Sequence, residues 1–446
     1  MSEESFFNFE PRSDDIKKKI SEERKKMNEP LGKYANNDIV KSTTGEDIFN
    51  FEKNKQKLID DLNWLKSLKV EEFTFRKKFE EIQLVNDFIK KYDTRAKARI
   101  WEPTNINDEE LTIKEINILQ PKVIVVVDEF QERLWTTLRI YCSTAEYNQA
   151  PGRFIKFLMI DNISNQVLGI ASIASDVISI SARDKFIGWT SEDKLQHKML
   201  KYSAIGTTIV PTQPLGINFL GGKLIAALVT SDVVRNEWEN EDLDKTKSKP
   251  CKLVGMTTTS LYGRPSMYDA MKWWKGVGLS KGKIPIKPYE DVYKDWHDWL
   301  KQYKKEKYDE AMKQKEGVSG PVTGAKMRVL SMIFDACDIK QSEYCHGYER
   351  GVYYSCFYEN TKEFLCRKIT ENKLVMKPLF KDGVKAILEW WRPKAIQRYK
   401  KLKAEGRLNP NKLFYNEMDR NIVYPSMTDK EAYNEVKKKF FIDVGR

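Results

Sequence analysis

Apolar positions recur at helical spacing between residues 51 and 91: Leu58, Leu62, Leu65 and Leu68, then Phe75, Phe79, Ile82, Val85 and Ile89. Side chains three and four apart share one helix face, so this stretch predicts a pair of amphipathic helices. Residues 1–50 are polar, with charged runs such as Lys17-Lys18-Lys19, and predict a mobile or partly helical leader. After Pro121 the β-branched run 123–127 reads as a buried strand or a helix start, and 129–141 as a helix. The pattern then changes. Residues 154–161 and 166–173 predict two strands joined by a turn at 162–165, which is a hairpin signal. Next come a helix at 192–202 and a strand at 204–210 ended by Pro211, then a glycine-containing turn at 213–216. A long helix at 218–238, a charged linker at 239–250, a strand at 252–261 and a second helix at 267–275, closed by Gly276 and Gly278, complete this part.

Beyond Lys283 a linker carrying Pro285 and Pro288 leads into a Lys/Glu-rich helix at 289–316, with a second break at 318–324. Residues 327–334, 351–359 and 364–369 read as strands, the last two as a hairpin around Asn360-Thr361, and 384–406 as a basic helix. The expected organisation has three parts: a charged, mostly helical region at 1–138, an α/β core domain at 139–285, and a basic α+β region at 286–446. No internal repeat is evident.

Composition adds compartment and charge. The longest apolar run is far short of the ~20 residues of a membrane span, and residues 1–24 lack the apolar stretch of a secretory leader. Six scattered cysteines form no CxxC pair, which is ordinary for a reducing compartment; a cytoplasmic protein with no membrane partner is the expectation. The formal charge of +12 is uneven, with Lys+Arg against Asp+Glu at 25 to 28 in 1–138, 19 to 13 in 139–284, and 33 to 24 in 285–446. The surplus lies where a polyanion can be met, or where a lysine-rich surface is simply solvated. His197, His297 and His346 are far apart, and Cys337, Cys345, Cys356 and Cys366 match no standard zinc spacing, so no metal site is expected. No GxxxxGK[ST] loop and no Ser-His-Asp or Cys-His motif stands out.

The string Gln213-Pro214-Leu215-Gly216-Ile217-Asn218 resembles the Q/R-x-x-G-x-G/A loop of the GNAT acyltransferase superfamily, with Asn218 where that loop ends in Gly or Ala. There, amides at a helix N-terminus hold the pyrophosphate of acyl-coenzyme A, because orphan N–H groups and the positive dipole end attract anions. Longer strings are more specific. Ala182 to Trp189 (ARDKFIGW), Leu220-Gly221-Gly222-Lys223-Leu224, and Thr257-Thr258-Thr259-Ser260 leading to Gly263-Arg264-Pro265-Ser266-Met267-Tyr268 occur in order. With Gly152-Arg153-Phe154 they resemble the hallmark blocks of the DruA-like family, known from Druantia anti-phage systems and related bacterial and phage proteins. The resemblance covers about 135 residues and leaves both flanks outside it. It implies a GNAT-like mixed sheet allied to Mom-type DNA-modifying acyltransferases. Acyl-CoA is then the expected cofactor, DNA the expected partner, and other proteins of a defence system further partners.

The same resemblance suggests roles, each with a plainer reading beside it. Asp184 is a candidate to orient or deprotonate an amine and Arg183 to clamp a phosphate; alternatively the two form an internal pair that fixes a loop. Tyr268 is placed to protonate a departing thiolate, or is a core tyrosine. Gln213, Gly216, Asn218, Gly221 and Gly222 are the candidate cofactor-binding set, with tight helix–sheet packing as the alternative for the paired glycines. Lys223, Arg264, Arg392, Arg398 and Lys401 are candidate nucleic-acid contacts. In the last three, Trp390 and Trp391 interleave with positive charge in a face that suits phosphates and base stacking, or is a solvated helix. Three functions compete: a GNAT-like enzyme that moves an acyl or related group to a DNA base, a non-catalytic nucleic-acid-binding subunit of a defence or counter-defence assembly and, third in order, a protein-only acyltransferase.

Overall fold

The computed structural model describes residues 49–68, 99–143, 152–240, 251–260, 265–280, 284–288, 290–313, 325–346 and 349–410. The leader at 1–48, the second amphipathic stretch at 69–98, most of the linker at 239–250 and the break at 318–324 lie outside these residues. Helices in chain order are α1 (Phe51–Ser67), α2 (Glu109–Ile118), α3 (Glu129–Cys142), α4 (Ser181–Ile187), α5 (Ser191–Leu195), α6 (Gln213–Asn218), α7 (Gly221–Leu228), α8 (Asp232–Trp238), α9 (Glu290–Tyr303), α10 (Lys305–Met312), α11 (Ala325–Ala336), α12 (Thr361–Leu365) and α13 (Gly383–Ala404). The strands are β1 (Pro121–Val125), β2 (Phe154–Asp161), β3 (Val167–Ser175), β4 (Ser203–Pro211), β5 (Gly255–Thr259), β6 (Lys275–Ser280), β7 (Ile284–Pro285), β8 (Cys345–His346) and β9 (Arg350–Cys356).

Seven strands form one mixed sheet in the order β1-β2-β3-β4-β5-β9-β6. β4 and β5 run parallel and every other neighbouring pair is antiparallel. The predicted hairpin forms as expected. Asp161 shapes its turn by accepting hydrogen bonds from Gln120 N (2.8 Å), Ser164 N (3.0 Å) and Ser164 Oγ (2.8 Å). The strands at 154–173, 204–210 and 252–261 share this sheet, and α7 packs on β3 and β4. Two of the seven, β1 and β9, come from outside 139–285.

Several expected elements take a different form. The helix at 192–202 is α5 followed by a separate 3-10 turn at Met199–Tyr202, and that at 289–316 is divided into α9 and α10. The long helix at 218–238 is divided. Leu220 adopts a left-handed conformation (φ 55°) ahead of α7, and Thr230 Oγ1 bonds back to Ala227 O (2.7 Å), which offers the backbone an alternative to continuing the helix. Residues 267–275 are not helical: turns at 266–270, with Ala270 at φ 54°, lead into β6. Gly276 and Gly278 belong to that strand and flank a register shift against β9, where Gly278 holds φ 140°, open only to glycine. The run 327–334 is helical rather than extended. Val329, Leu330, Ile333, Phe334 and Cys337 are buried at the spacing of one helix face, packing with Leu58, Leu62 and Leu65 of α1 and Trp296 of α9. Finally, 364–369 includes the end of the short helix α12, not a strand.

Helices α9–α11 and the β7/β8 pair interrupt the chain between β6 and β9, and with α1 they enclose their own apolar cluster. The basic helix α13 is 22 residues long and carries Pro393 inside it. It rests on α7, α2 and α6.

Candidate functional site

Asp176, one residue past β3, is the centre of a sealed polar network. Its Oδ1 accepts from Arg183 Nη1 (2.6 Å) and Val177 N (2.9 Å), and its Oδ2 from Ser203 Oγ (2.6 Å) and Thr257 Oγ1 (2.8 Å). Arg183 also donates from Nε (2.9 Å) and Nη2 (2.7 Å) to Asp184 Oδ1, and Lys194 Nζ donates to Asp184 Oδ2. The guanidinium lies 5.2 Å from the Trp189 ring centre. The Arg183 and Asp176 side chains are both 0% exposed. Burial pushes the Asp176 carboxyl above its ordinary range, against the pull of Arg183 and of the two hydroxyls. Arg183 thus ties the fold internally: its donors go to two carboxylates and to Ile178 O (3.4 Å), and no part of it reaches solvent. Asp184 receives Arg183 and Lys194 rather than an open cleft, although it keeps a 12% exposed side chain.

Thr257 and Thr258 are neighbours on β5, so they address opposite faces of the sheet. Thr257 serves Asp176. Thr258 Oγ1 donates to Gly206 O of β4 (3.0 Å), and its side chain shares a hydrogen bond with Tyr268. The Tyr268 ring lies 4.5 Å from Tyr353 and 5.7 Å from Trp274, and burial holds its hydroxyl well above the usual tyrosine range. It sits in the turn after residue 264, not in a helix, and only 7% of it is exposed.

Gly206 and Thr258 form the last rung between β4 and β5. β4 continues to Pro211 beside β3, but on its β5 side residues 207–211 have no strand partner among the described residues. At this point β4 also bulges: Ser172 pairs with Thr208 and Ile173 with Gly206, leaving Thr207 as the extra residue. Thr207 is exposed although its strand is central, and its Oγ1 lies 2.7 Å from Ser172 Oγ. β4 thus runs on past the last rung it shares with β5, at the carboxyl ends of two parallel strands, where ligands of α/β sheets are commonly held.

The turn after β4 is built differently from the expectation. Residues 213–218 are helical, so the Gly216 and Phe219 amides bond to Thr212 O (2.8 Å) and Leu215 O (3.1 Å) instead of facing a cleft. Gln213 is buried, with Nε2 on Cys142 O (3.4 Å). A β-carbon on Gly216 would come within 2.9 Å of the Pro211 ring. Asn218 donates to Pro214 O (3.1 Å) and Asn409 O (2.7 Å) and accepts from Asn409 N (2.9 Å), fastening the segment that follows α13. On Gly221 a β-carbon would stand 2.7 Å from the Leu215 carbonyl carbon, and on Gly222 3.3 Å from Met267 Cγ. The paired glycines therefore admit neighbouring chain, as in the packing alternative. Lys223 Nζ donates to Ser266 O (2.7 Å) and Asp269 O, tying the glycine block to the turn that carries Tyr268.

The basic helix also turns much of its chemistry inward. Arg392 Nη2 donates to Leu119 O (2.8 Å), Trp391 is buried with Nε1 on Leu220 O (3.2 Å), and Trp390 packs 4.9 Å from Trp273. Arg398 is half-buried, and Lys401 is exposed and 3.8 Å from Glu405. Lys400 and Lys403 both reach Glu109 of α2 (3.5 and 3.4 Å). Arg264 lies outside the described residues. Among those residues no three His, Cys, Asp or Glu side chains are grouped to hold a metal, and no helix is long and apolar enough to cross a membrane.

Sequence reasoning singled out Arg183, Asp184, Thr257 and Tyr268 but missed Asp176, Ser203 and Tyr354. Tyr354 is buried with its hydroxyl 3.4 Å from Ser203 Oγ, in room that Gly255 leaves by having no side chain. One local signal was present: an aspartate closing a strand otherwise made of apolar and small residues. Among known proteins, the family described as Druantia protein DruA matches residues 46–367, which runs from just before α1 to just past α12 and leaves α13 outside. Druantia protein DruA of Escherichia coli (strain UMEA 4076-1) is 24% identical over 257 residues, covering 55% of this chain and 61% of that protein. The chain thus spans about three-fifths of the length of that relative. No solved structure matches.

Proposed function

The chain belongs to the DruA family, and on that premise we propose that it serves anti-phage defence as a GNAT-like enzyme, moving an acyl or related group from a coenzyme A thioester to a nucleic-acid base. The observation that carries this reading is the run of β4 beyond the Gly206–Thr258 rung without a further strand partner on that side among the described residues, with the Tyr268 hydroxyl beside Thr258. An extended ligand with amide groups fits the unpartnered side of β4 from 207 to 211, because that edge offers backbone donors and acceptors. Acyl-coenzyme A would supply such an arm together with an activated acyl group. Burial keeps the Tyr268 O–H proton in place and makes it a weaker acid than an ordinary tyrosine, so at a departing thiolate its Oη would act by donating a hydrogen bond. The packing of Gly221 on Leu215 does not fit a pyrophosphate at that glycine, so the reading rests on the strand edge and not on the glycine turn.

A second reading has its own support. The enclosure of Arg183 and the filled turn at 213–222 favour a non-catalytic nucleic-acid-binding subunit that works with other proteins of a defence system. Calorimetric titration with acetyl-coenzyme A separates the two. The enzyme reading expects saturable binding by the wild type and by Tyr268→Phe, with transfer to DNA slowed about 10²-fold or more in the variant. Absence of any binding by the folded wild type would leave the binding-subunit reading.

A further inference from the structure

Three lysines from three separate segments converge on one small surface away from the glycine turn. Lys275 begins β6, Lys362 lies in α12, and Lys377 follows the bridge between Tyr358 and Met376. The Lys362 ammonium stands 3.6 Å from the centre of the Phe186 ring, and the Lys275 ammonium 5.3 Å from it. Lys275 pairs with Tyr354 on β9 and the Lys377 amide donates to Phe357 O (3.0 Å), so both segments border Cys356, whose thiolate all three lysines favour against burial. None of the three makes an ion pair with a described carboxylate. Lys275 is exposed, and Lys362, Lys377, Phe186 and Cys356 are partly so.

Grouped ammonium ions repel one another, and folding alone gives no reason to bring them together. The Phe186 ring offsets part of that repulsion, since its face attracts cations, and it holds two of the charged heads above one platform. Phe186 also belongs to the ARDKFIGW block, three residues from the buried Arg183. The patch is therefore fixed to the same short helix that anchors the Asp176 network. A surface so arranged is complementary to anions spaced along a chain.

From this we infer that the Phe186–Lys275–Lys362–Lys377 surface, and not the basic helix α13, is where the protein takes hold of the phosphodiester backbone of a nucleic acid. Both the partner and the role of this surface rest on the nucleic-acid reading above. Its charges differ in kind from those of α13, where Lys400 and Lys403 already meet Glu109 and Lys401 meets Glu405.

The test is fluorescence anisotropy of a labelled DNA duplex at several salt concentrations, using the full chain. Lys275→Gln, Lys362→Gln and Lys377→Gln combined should weaken binding about tenfold or more. The same variant should make the slope of log affinity against log salt shallower by about 0.9 for each phosphate that is no longer neutralised. The matching triple arginine variant should restore both, and Lys400→Gln with Lys401→Gln should change neither. Equal affinity and slope in the glutamine variant would overturn the surface while leaving nucleic acid as partner. A wild type that ignores DNA even at low salt would overturn both. Inorganic phosphate competing as well as unlabelled duplex, at equal phosphate concentration, would overturn the assignment to a nucleic-acid backbone.

Discussion

Asp176 Oδ1 accepts a 2.6 Å hydrogen bond from Arg183 Nη1 with neither side chain reaching solvent. The carboxylate closes β3 and the guanidinium sits in α4, so this bond joins the sheet to the first hallmark block. Asp184 and Lys194 extend it to α5, and Ser203 and Thr257 extend it to the two parallel strands.

Removing one member of such a network leaves a charge enclosed without its partner. Arg183→Met should cost about 3–5 kcal/mol of folding stability in urea titrations. A loss below about 1 kcal/mol would mean that the two aspartates find other partners. Arg183→Lys should recover only part of the loss, because a single ammonium cannot serve both carboxylates with the guanidinium's fork.

Acid titration of Asp176 has a definite sign. Its folded carboxyl is held above the ordinary value of 3.8, so between that value and the raised one the folded chain binds the extra proton. This contribution to stability is present at low pH and fades as pH rises through the folded value. Asp176→Asn removes it. The difference in stability between wild type and variant should therefore shift toward the variant as pH rises from about 3.8; a shift in the other sense would show that Arg183 and the hydroxyls outweigh burial.

Gly221→Val is expected to unsettle the fold and not merely a ligand. Its β-carbon would press on the Leu215 backbone, which cannot swing aside as a side chain can. A cost of about 1–3 kcal/mol, seen as a lower midpoint in thermal unfolding, is the expected outcome. A variant with unchanged stability would mean that the first turn of α7 can move away from Leu215, reopening the turn as a ligand floor.

Much of the sheet was legible along the chain. The β2–β3 hairpin announced itself by a polar turn between apolar runs, and β4 by its β-branched residues and terminal proline. The run at 327–334 was ambiguous because short apolar stretches suit helix or strand equally, and only packing against Leu58 and Trp296 decides. β6 was hidden by two glycines, which are poor strand formers until Tyr353 and Val352 of β9 pair with them. Among the site residues, Arg183, Thr257 and Tyr268 stood out through family strings. Asp176 did not, since its donors come from positions 183, 203 and 257 and meet only in the folded chain.

The insertion between β6 and β9 has a consequence for the order of assembly. β6 hydrogen-bonds to β9 alone, and β9 must also slot between β6 and β5. During synthesis the strands from β1 to β5 can join as they emerge, whereas Lys275–Ser280 waits unpaired until residues 281–349 have followed and Arg350–Cys356 arrives. Closing that long loop is entropically costly and slow compared with hairpin formation, so the β5 edge is the last part of the sheet to be completed. Tyr354, which lies beside Ser203 and fills the space above Gly255, reaches its place only in that final step.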